Sequence, residues 1–196
     1  MRAVGSGRLQ WWHRSGRIAV VVATLALAGG GTASAQDQPV PVQAIPALDL
    51  ERYAGLWHEV ARLPNRFQKR CVGDVTASYE LLDGGIRVVN ACRVADGTTI
   101  RAEGRARLTD RNGPASRLKV RFAPALLSFL PMVWADYWVL DLTDGYGAAL
   151  VGTPDRRYLW VLSRRPELDP ATYSRLVGTA ARQGFDVARL QRSNEP

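Results

Sequence analysis

The sequence predicts an all-β protein: an eight-stranded up-and-down antiparallel barrel followed by one C-terminal α-helix. Three observations carry this. From Leu56 to Ser163, short runs of strand-type residues are separated by turn signals. In the clearest run, Thr98 to Leu108, Ile100, Ala102, Gly104 and Ala106 alternate with Arg101, Glu103, Arg105 and Arg107, giving one dry face and one wet face. After the eighth run the apolar spacing changes from the strand period to the helix period.

The elements follow in order. Leu56 to Leu63 is the first strand, and Asn65 to Arg70 a polar loop. Val72 to Leu82 and Ile86 to Val94 flank the turn Asp83-Gly84-Gly85 and form a hairpin. Asp96-Gly97 turns the chain into Thr98 to Leu108, and Asp110 to Pro114 is a loop. Arg117 to Phe122, Trp134 to Leu142, Tyr146 to Gly152 and Tyr158 to Ser163 complete the eight. Asp169-Pro170 then reads as a cap followed by proline at the first helical position. Leu168, Tyr173, Leu176, Val177, Ala180 and Ala181 recur at helical spacing, predicting a helix over 170–183 that Gly184 ends. Phe185 to Leu190 reads as a short final strand. Sequential hairpins favour an up-and-down barrel, with a two-sheet sandwich as the alternative. Eight strands enclose room for one small ligand. A membrane barrel needs an apolar outer face, whereas these strands carry many arginines and glutamates.

The formal net charge of +8 raises the question of nucleic acid. Half of that excess lies in residues 1–35, which contain Arg2, Arg8, Arg14 and Arg17 and no acid. The basic part is followed by the apolar run Ile18 to Ala28 and by Ala33-Ser34-Ala35, the pattern of an export signal cleaved before Gln36. The run is too short to span a bilayer as a helix, which takes about 20 residues. Residues 36–48 are a polar, proline-containing flexible lead-in, and 49–192 the barrel domain with its helix. The remaining charge is spread over outward strand positions, so no nucleic-acid partner is expected. No cysteine follows the apolar run, so a lipid-anchor cysteine is not expected; the reading is an exported, periplasmic protein with an open question of outer-membrane association.

The two cysteines, Cys71 and Cys92, allow one intramolecular disulfide in an oxidising compartment; a pair of buried free thiols is the alternative. A simple register about Gly84 pairs Cys92 with Thr76, so a disulfide requires the 71–75 segment to bend back. Catalytic signals are scarce. Beyond the leader the one histidine is His58, next to inward-facing Trp57 and therefore on the outer face. Gly-x-Ser-x-Gly, phosphate-loop and metal-binding spacings are absent from the sequence. Binding is favoured over catalysis, with neither metal nor cofactor.

Gly55-Leu56-Trp57 resembles the G-x-W signature of the lipocalin family. Far downstream, Thr153-Pro154-Asp155-Arg156-Arg157-Tyr158 is similar to the family's second block, and Leu159 to Arg164 to its third, an arginine ending the last barrel strand. The resemblance covers residues 46–192. Tyr53 to Arg62, Val75 to Tyr79 and Tyr158 to Pro166 resemble the bacterial outer-membrane lipocalins of the Blc type and the related apolipoprotein D. It implies that Gly55, Trp57 and Arg164 are structural, with Trp57 plugging the barrel floor under the Arg164 guanidinium. It also implies that Tyr79, Asn90 and Trp160 match pocket positions, which Tyr137 joins by parity, with Tyr79 and Asn90 holding a polar head. The implied partner is a lipophilic ligand, a fatty acid or lysophospholipid, held for lipid storage or transport.

One segment stands apart. Ala123 to Trp134 is apolar and links strands five and six, at the end opposite the Trp57 floor. Its expected place is the open mouth, as a lid, a membrane-touching tip or a partner site. Two rival readings remain: an enzyme acting on a hydrophobic substrate in the barrel, and an interaction module built on residues 123–134.

Overall fold

A computed structural model describes residues 40–193. The expected export signal, residues 1–35, and residues 36–39 of the lead-in lie outside the described residues. Among the described residues nine strands form one sheet: β1 (Gly55–Arg62), β2 (Cys71–Leu82), β3 (Gly85–Val94), β4 (Thr99–Leu108), β5 (Arg117–Arg121), β6 (Ala135–Leu142), β7 (Ala148–Gly152), β8 (Leu159–Ser163) and β9 (Gln191–Arg192). Each of the first seven pairs antiparallel with the next, and β8 returns to β1, so the sheet is a closed eight-stranded barrel. A four-residue helix, α1 (Leu50–Tyr53), precedes β1, and α2 (Pro170–Arg182) follows β8.

The alternation of side chains sorts the core into two compartments. Inside the barrel lie Trp57, Tyr79, Val88, Ala106, Leu118, Tyr137, Val139, Val151 and Leu162. Outside it, Leu140, Leu150, Leu159 and Val161 meet Leu176 and Ala180 of α2. The Asp169 side chain accepts from Thr172 N, satisfying one open donor of the first turn of α2. Asp141 anchors the helix laterally by accepting from Arg175 Nη1 and Thr179 Oγ1.

The wall is closed only part of the way up. β1 pairs with β2 from Gly55↔Tyr79 to His58↔Thr76, and above that level its edge is taken by β9. β5 has five residues, and its ladder with β4 runs from Leu108↔Leu118 to Arg105↔Arg121. The upper part of the barrel therefore has two seams, one between β2 and β9 and one beside β4.

Three sequence expectations differ from the structure. The segment 40–48 of the lead-in is docked: Val42 and Leu48 are buried, and Ile45 N donates to Val139 O. Val42 packs in the outer cluster with α2 and Leu48 in the inner one, contacts that a polar-looking composition conceals. Phe185 to Leu190 does not form the last strand; Val187–Arg189 is a single 3-10 turn, and the strand is Gln191–Arg192. Phe185 is instead buried under α2. The 123–134 segment does not cover the mouth. Because β5 stops opposite Arg105, this segment leaves the wall low and lies along the outside of the barrel. There the Trp134 ring stacks on Arg107 and Arg121, and Ser128 and Trp134 share a 230 Å³ hollow with Gly84, Gly85 and Arg105.

Candidate functional site

The floor of the barrel is built around Trp57, which is fully buried. Its indole Nε1 donates to Tyr53 O at 2.8 Å. The Arg164 guanidinium lies 3.9 Å from its ring centroid and donates to the carbonyls of Arg52, Ala54 and Leu56. Burial pulls the Arg164 pKa below its ordinary value. Gly55 has φ +93°, and a Cβ there would come within 3.3 Å of Arg164 Nη1, so glycine suits both the backbone and the guanidinium.

Three tyrosines sit directly above. Tyr137 Oη lies 2.7 Å from Tyr53 Oη and 2.8 Å from Tyr79 Oη. All three rings are buried. Burial, the largest cause, raises all three pKa values; Tyr79 is pushed up to about 12, and the nearby Glu59 carboxylate adds to its rise. Tyr79 and Tyr137 thus form a closed polar layer in which the hydroxyls are bonded to one another. Tyr53, on a helix too short to show a period, is the third member that sequence reasoning missed.

Above this layer the inner face is open. Ala77 pairs with Asn90 and Asn90 with Ala102, all on the inner face; Ala77 is half-buried, while Asn90 and Ala102 are exposed. The Asn90 amide faces solvent and needs no protein partner, because the wall beside β4 stops short. Phe122, inward by the parity of Leu118 and Val120, is 42% exposed. Gly104 makes room for it: a Cβ at that position would stand 2.7 Å from the Phe122 ring and 2.6 Å from Arg121 O. On the opposite wall Trp160 is half-buried and stacks with Tyr158, which in turn contacts Phe67. These residues outline an aromatic-walled cup above the tyrosine layer.

A polar network spans one rim. Glu59 is 4% exposed and accepts from Arg62 Nη1, Gln68 Nε2 and Ser193 Oγ. Gln68 Oε1 accepts from Trp160 Nε1 at 3.1 Å and from Asn65 Nδ2 at 2.7 Å. A buried carboxylate needs such partners. Glu59 shares the inward parity of Trp57, and the register shift in β1 follows it, between Glu59 and Ala61. Cys71 and Cys92 are joined by a disulfide with Cα atoms 5.6 Å apart. Two register shifts between Cys71 and Thr76, with Asp74 at φ +52°, supply the bend that brings Cys71 to β3.

His58 is half-buried on the outer face, opposite Thr76 and Ser163. Ser163 Oγ accepts from Arg165 N. Among the described residues no group of three or more His, Cys, Asp or Glu could hold a metal ion.

Comparison with known proteins gives concordant results. A profile of the lipocalin-like domain matches residues 48–195. Temperature-induced lipocalin-1 of Arabidopsis thaliana is 38% identical over 154 residues, 78% of this chain and 82% of that protein. The outer membrane lipoprotein Blc of Escherichia coli is 36% identical over 159 residues, 80% of this chain and 85% of that protein. Among solved structures, insecticyanin from the tobacco hornworm Manduca sexta superposes with a TM-score of 0.62 at 20% identity, covering 79% of this chain and 85% of that one.

Proposed function

The chain belongs to the lipocalin family, a family of small hydrophobic ligand binders, and from that premise we propose that it carries a fatty acid or lysophospholipid in the upper cup of its barrel. The observation that carries the reading is the contrast within one lumen: a floor filled by Trp57 and three bonded tyrosines, and above it an open wall bearing Ala77, Asn90, Ala102, Phe122 and Trp160. An acyl tail fits the apolar part of that wall, and each buried methylene contributes about 0.8 kcal/mol. Tyr79 and Tyr137 form the surface on which the tail ends, while Asn90 and Trp160 line its sides. Such binding needs no cofactor and no catalytic group.

The proposed setting is the periplasm, with residues 1–35 acting as the export signal and the carrier serving lipid storage or transport in envelope maintenance. Peripheral membrane contact is part of the same reading. Leu126, Phe129 and Met132 are 82%, 74% and 86% exposed, on the segment whose Ser128 and Trp134 adjoin Arg105 and Arg107. Apolar side chains flanked by cations suit an anionic lipid surface. Among the described residues no helix is long and apolar enough to cross a membrane.

Native mass spectrometry after incubation with oleate and with a lysophospholipid tests the carrier reading. One bound lipid per chain is expected; absence of any adduct with either lipid contradicts it. Co-sedimentation with anionic vesicles is expected to fall in Leu126→Asp/Phe129→Asp, and unchanged sedimentation contradicts the membrane contact.

A further inference from the structure

A crevice of about 460 Å³ opens at the seam between β1, β9 and the start of β2. Its lining includes Arg62, Arg66 and Lys69, the amides Asn65 and Gln68, and Gln191, and no carboxylate. The Asn65 and Gln68 amides are engaged within the protein. Asn65 Oδ1 accepts from Phe67 N and Gln68 N, and Gln68 Oε1 accepts from Trp160 and Asn65. Their amide nitrogens are engaged as well, Asn65 Nδ2 with Leu63 O and Gln68 Oε1, and Gln68 Nε2 with Glu59. The cations keep free donors: Arg62 gives only Nη1, to Glu59 and Ser193, and among the described residues neither Arg66 nor Lys69 makes an ion pair. Arg66 lies over the Phe67 ring, which leaves its N–H edge available. A pocket rich in free cationic donors, with no carboxylate in its lining, is complementary to an anion.

The crevice adjoins the cup. Arg62 pairs across the sheet with Trp160, and Gln68, which lines the crevice, bonds the Trp160 indole. Directly opposed residues share a face of the sheet, so the cationic crevice meets the aromatic wall of the cup. We propose that this crevice holds the anionic head group, a carboxylate or phosphate, of an amphiphile whose tail lies in the cup. The inference rests on the carrier reading and refines it. The head is held at the seam by Arg62, Arg66 and Lys69, and not by Tyr79 and Asn90: the Tyr79 hydroxyl is bonded to Tyr137 inside the floor, and Asn90 stands on the other side of the β2–β3 ladder from β1.

The test compares oleate with oleyl alcohol, which has the same tail and no charge, on the full chain and on Arg66→Glu/Lys69→Glu. Both substitutions are at exposed positions, and Arg62, Gln68 and Glu59 stay in place. The charge reversal is expected to weaken oleate by about tenfold or more, the size of one or two lost charge-assisted hydrogen bonds, and to leave the alcohol within about twofold. In the unaltered protein, raising salt is expected to weaken oleate and spare the alcohol, a readout that needs no variant. Binding of both probes with no selective loss in the variant and no salt dependence overturns the inference and leaves the carrier reading standing. Failure of both probes to bind the unaltered protein overturns both. Inorganic phosphate is the tail-free control; if it binds as tightly as oleate, the crevice takes a free anion and the head-group assignment is overturned.

Discussion

The lower and upper halves of this barrel are made from the same strands and do different things. In the lower half every inward position is taken: Trp57, Tyr79, Val88, Leu118, Tyr137 and Val139 are buried, and the polar atoms among them are bonded to one another or to backbone. In the upper half the same alternation points Asn90, Ala102 and Phe122 inward, yet all three are exposed. The difference lies in the neighbours, not in the strands. β5 ends opposite Arg105 and β2 leaves β1 above His58, so the upper wall has gaps that the lower wall lacks. A barrel closed at one level and split at another separates the part that holds it together from the part that can admit a ligand.

Substitutions in the lower half should cost stability. Trp57→Ala removes the floor plug and the partner of Arg164; a loss of about 3–5 kcal/mol is expected by denaturant unfolding. A midpoint shift near zero would break the comparison. The disulfide belongs to the upper half and staples a bulged strand start. With a separation of 21 residues, its removal in Cys71→Ser/Cys92→Ser should cost roughly 3 kcal/mol. Hydrogen exchange in that variant is expected to rise at residues 71–76 and 91–94 before it rises at the floor. Tyr137→Phe deletes the hydroxyl that both Tyr53 and Tyr79 contact, and should lose about 1–3 kcal/mol, read by thermal melting.

The tyrosine layer also predicts an alkaline limit. In the unfolded chain phenols ionise near their ordinary value of about 10. In the folded protein Tyr79 holds its proton to about 12, and Tyr53 and Tyr137 are raised in the same direction. A group raised on folding adds stability that is complete below the unfolded pKa and is lost as pH climbs through the folded one. Stability should therefore fall between pH 10 and about 12, and absorbance at 295 nm should show late-ionising tyrosines whose onset coincides with unfolding. Uniform ionisation of all tyrosines near pH 10 with the fold intact would contradict the buried layer.

The lower half was largely legible in the sequence. Strand alternation places Trp57 inward, the arginine after the last strand falls where it can cover the indole, and Tyr137 follows from the parity of its strand. The upper half was less so, for identifiable reasons. The inward parity of Asn90 is readable, but its exposure depends on where β5 stops, which a run of alternating residues does not fix. Glu59 shares the inward parity of Trp57, but its partners do not follow from that parity: Gln68 sits in a loop with no period and Ser193 lies far along the chain. Phe122 carried a usable signal: it continues the alternation of Leu118 and Val120. The apolar 123–134 segment was expected over the mouth because strand order puts it at that end, and it lies outside the wall because the strand before it is short.

The smallest change in stability should accompany the largest change in binding. Ala102→Trp fills exposed inner wall in the upper cup and should alter stability by no more than about 0.5 kcal/mol. Tyr137→Phe should do the reverse, lowering stability while leaving the cup intact. Oleate affinity measured on these two variants beside the unaltered protein tests most directly whether the ligand lies in the upper half. The account predicts a loss of about tenfold or more for Ala102→Trp and a change within about threefold for Tyr137→Phe. Retained binding in Ala102→Trp, with binding lost in Tyr137→Phe, would move the ligand to the floor and contradict it.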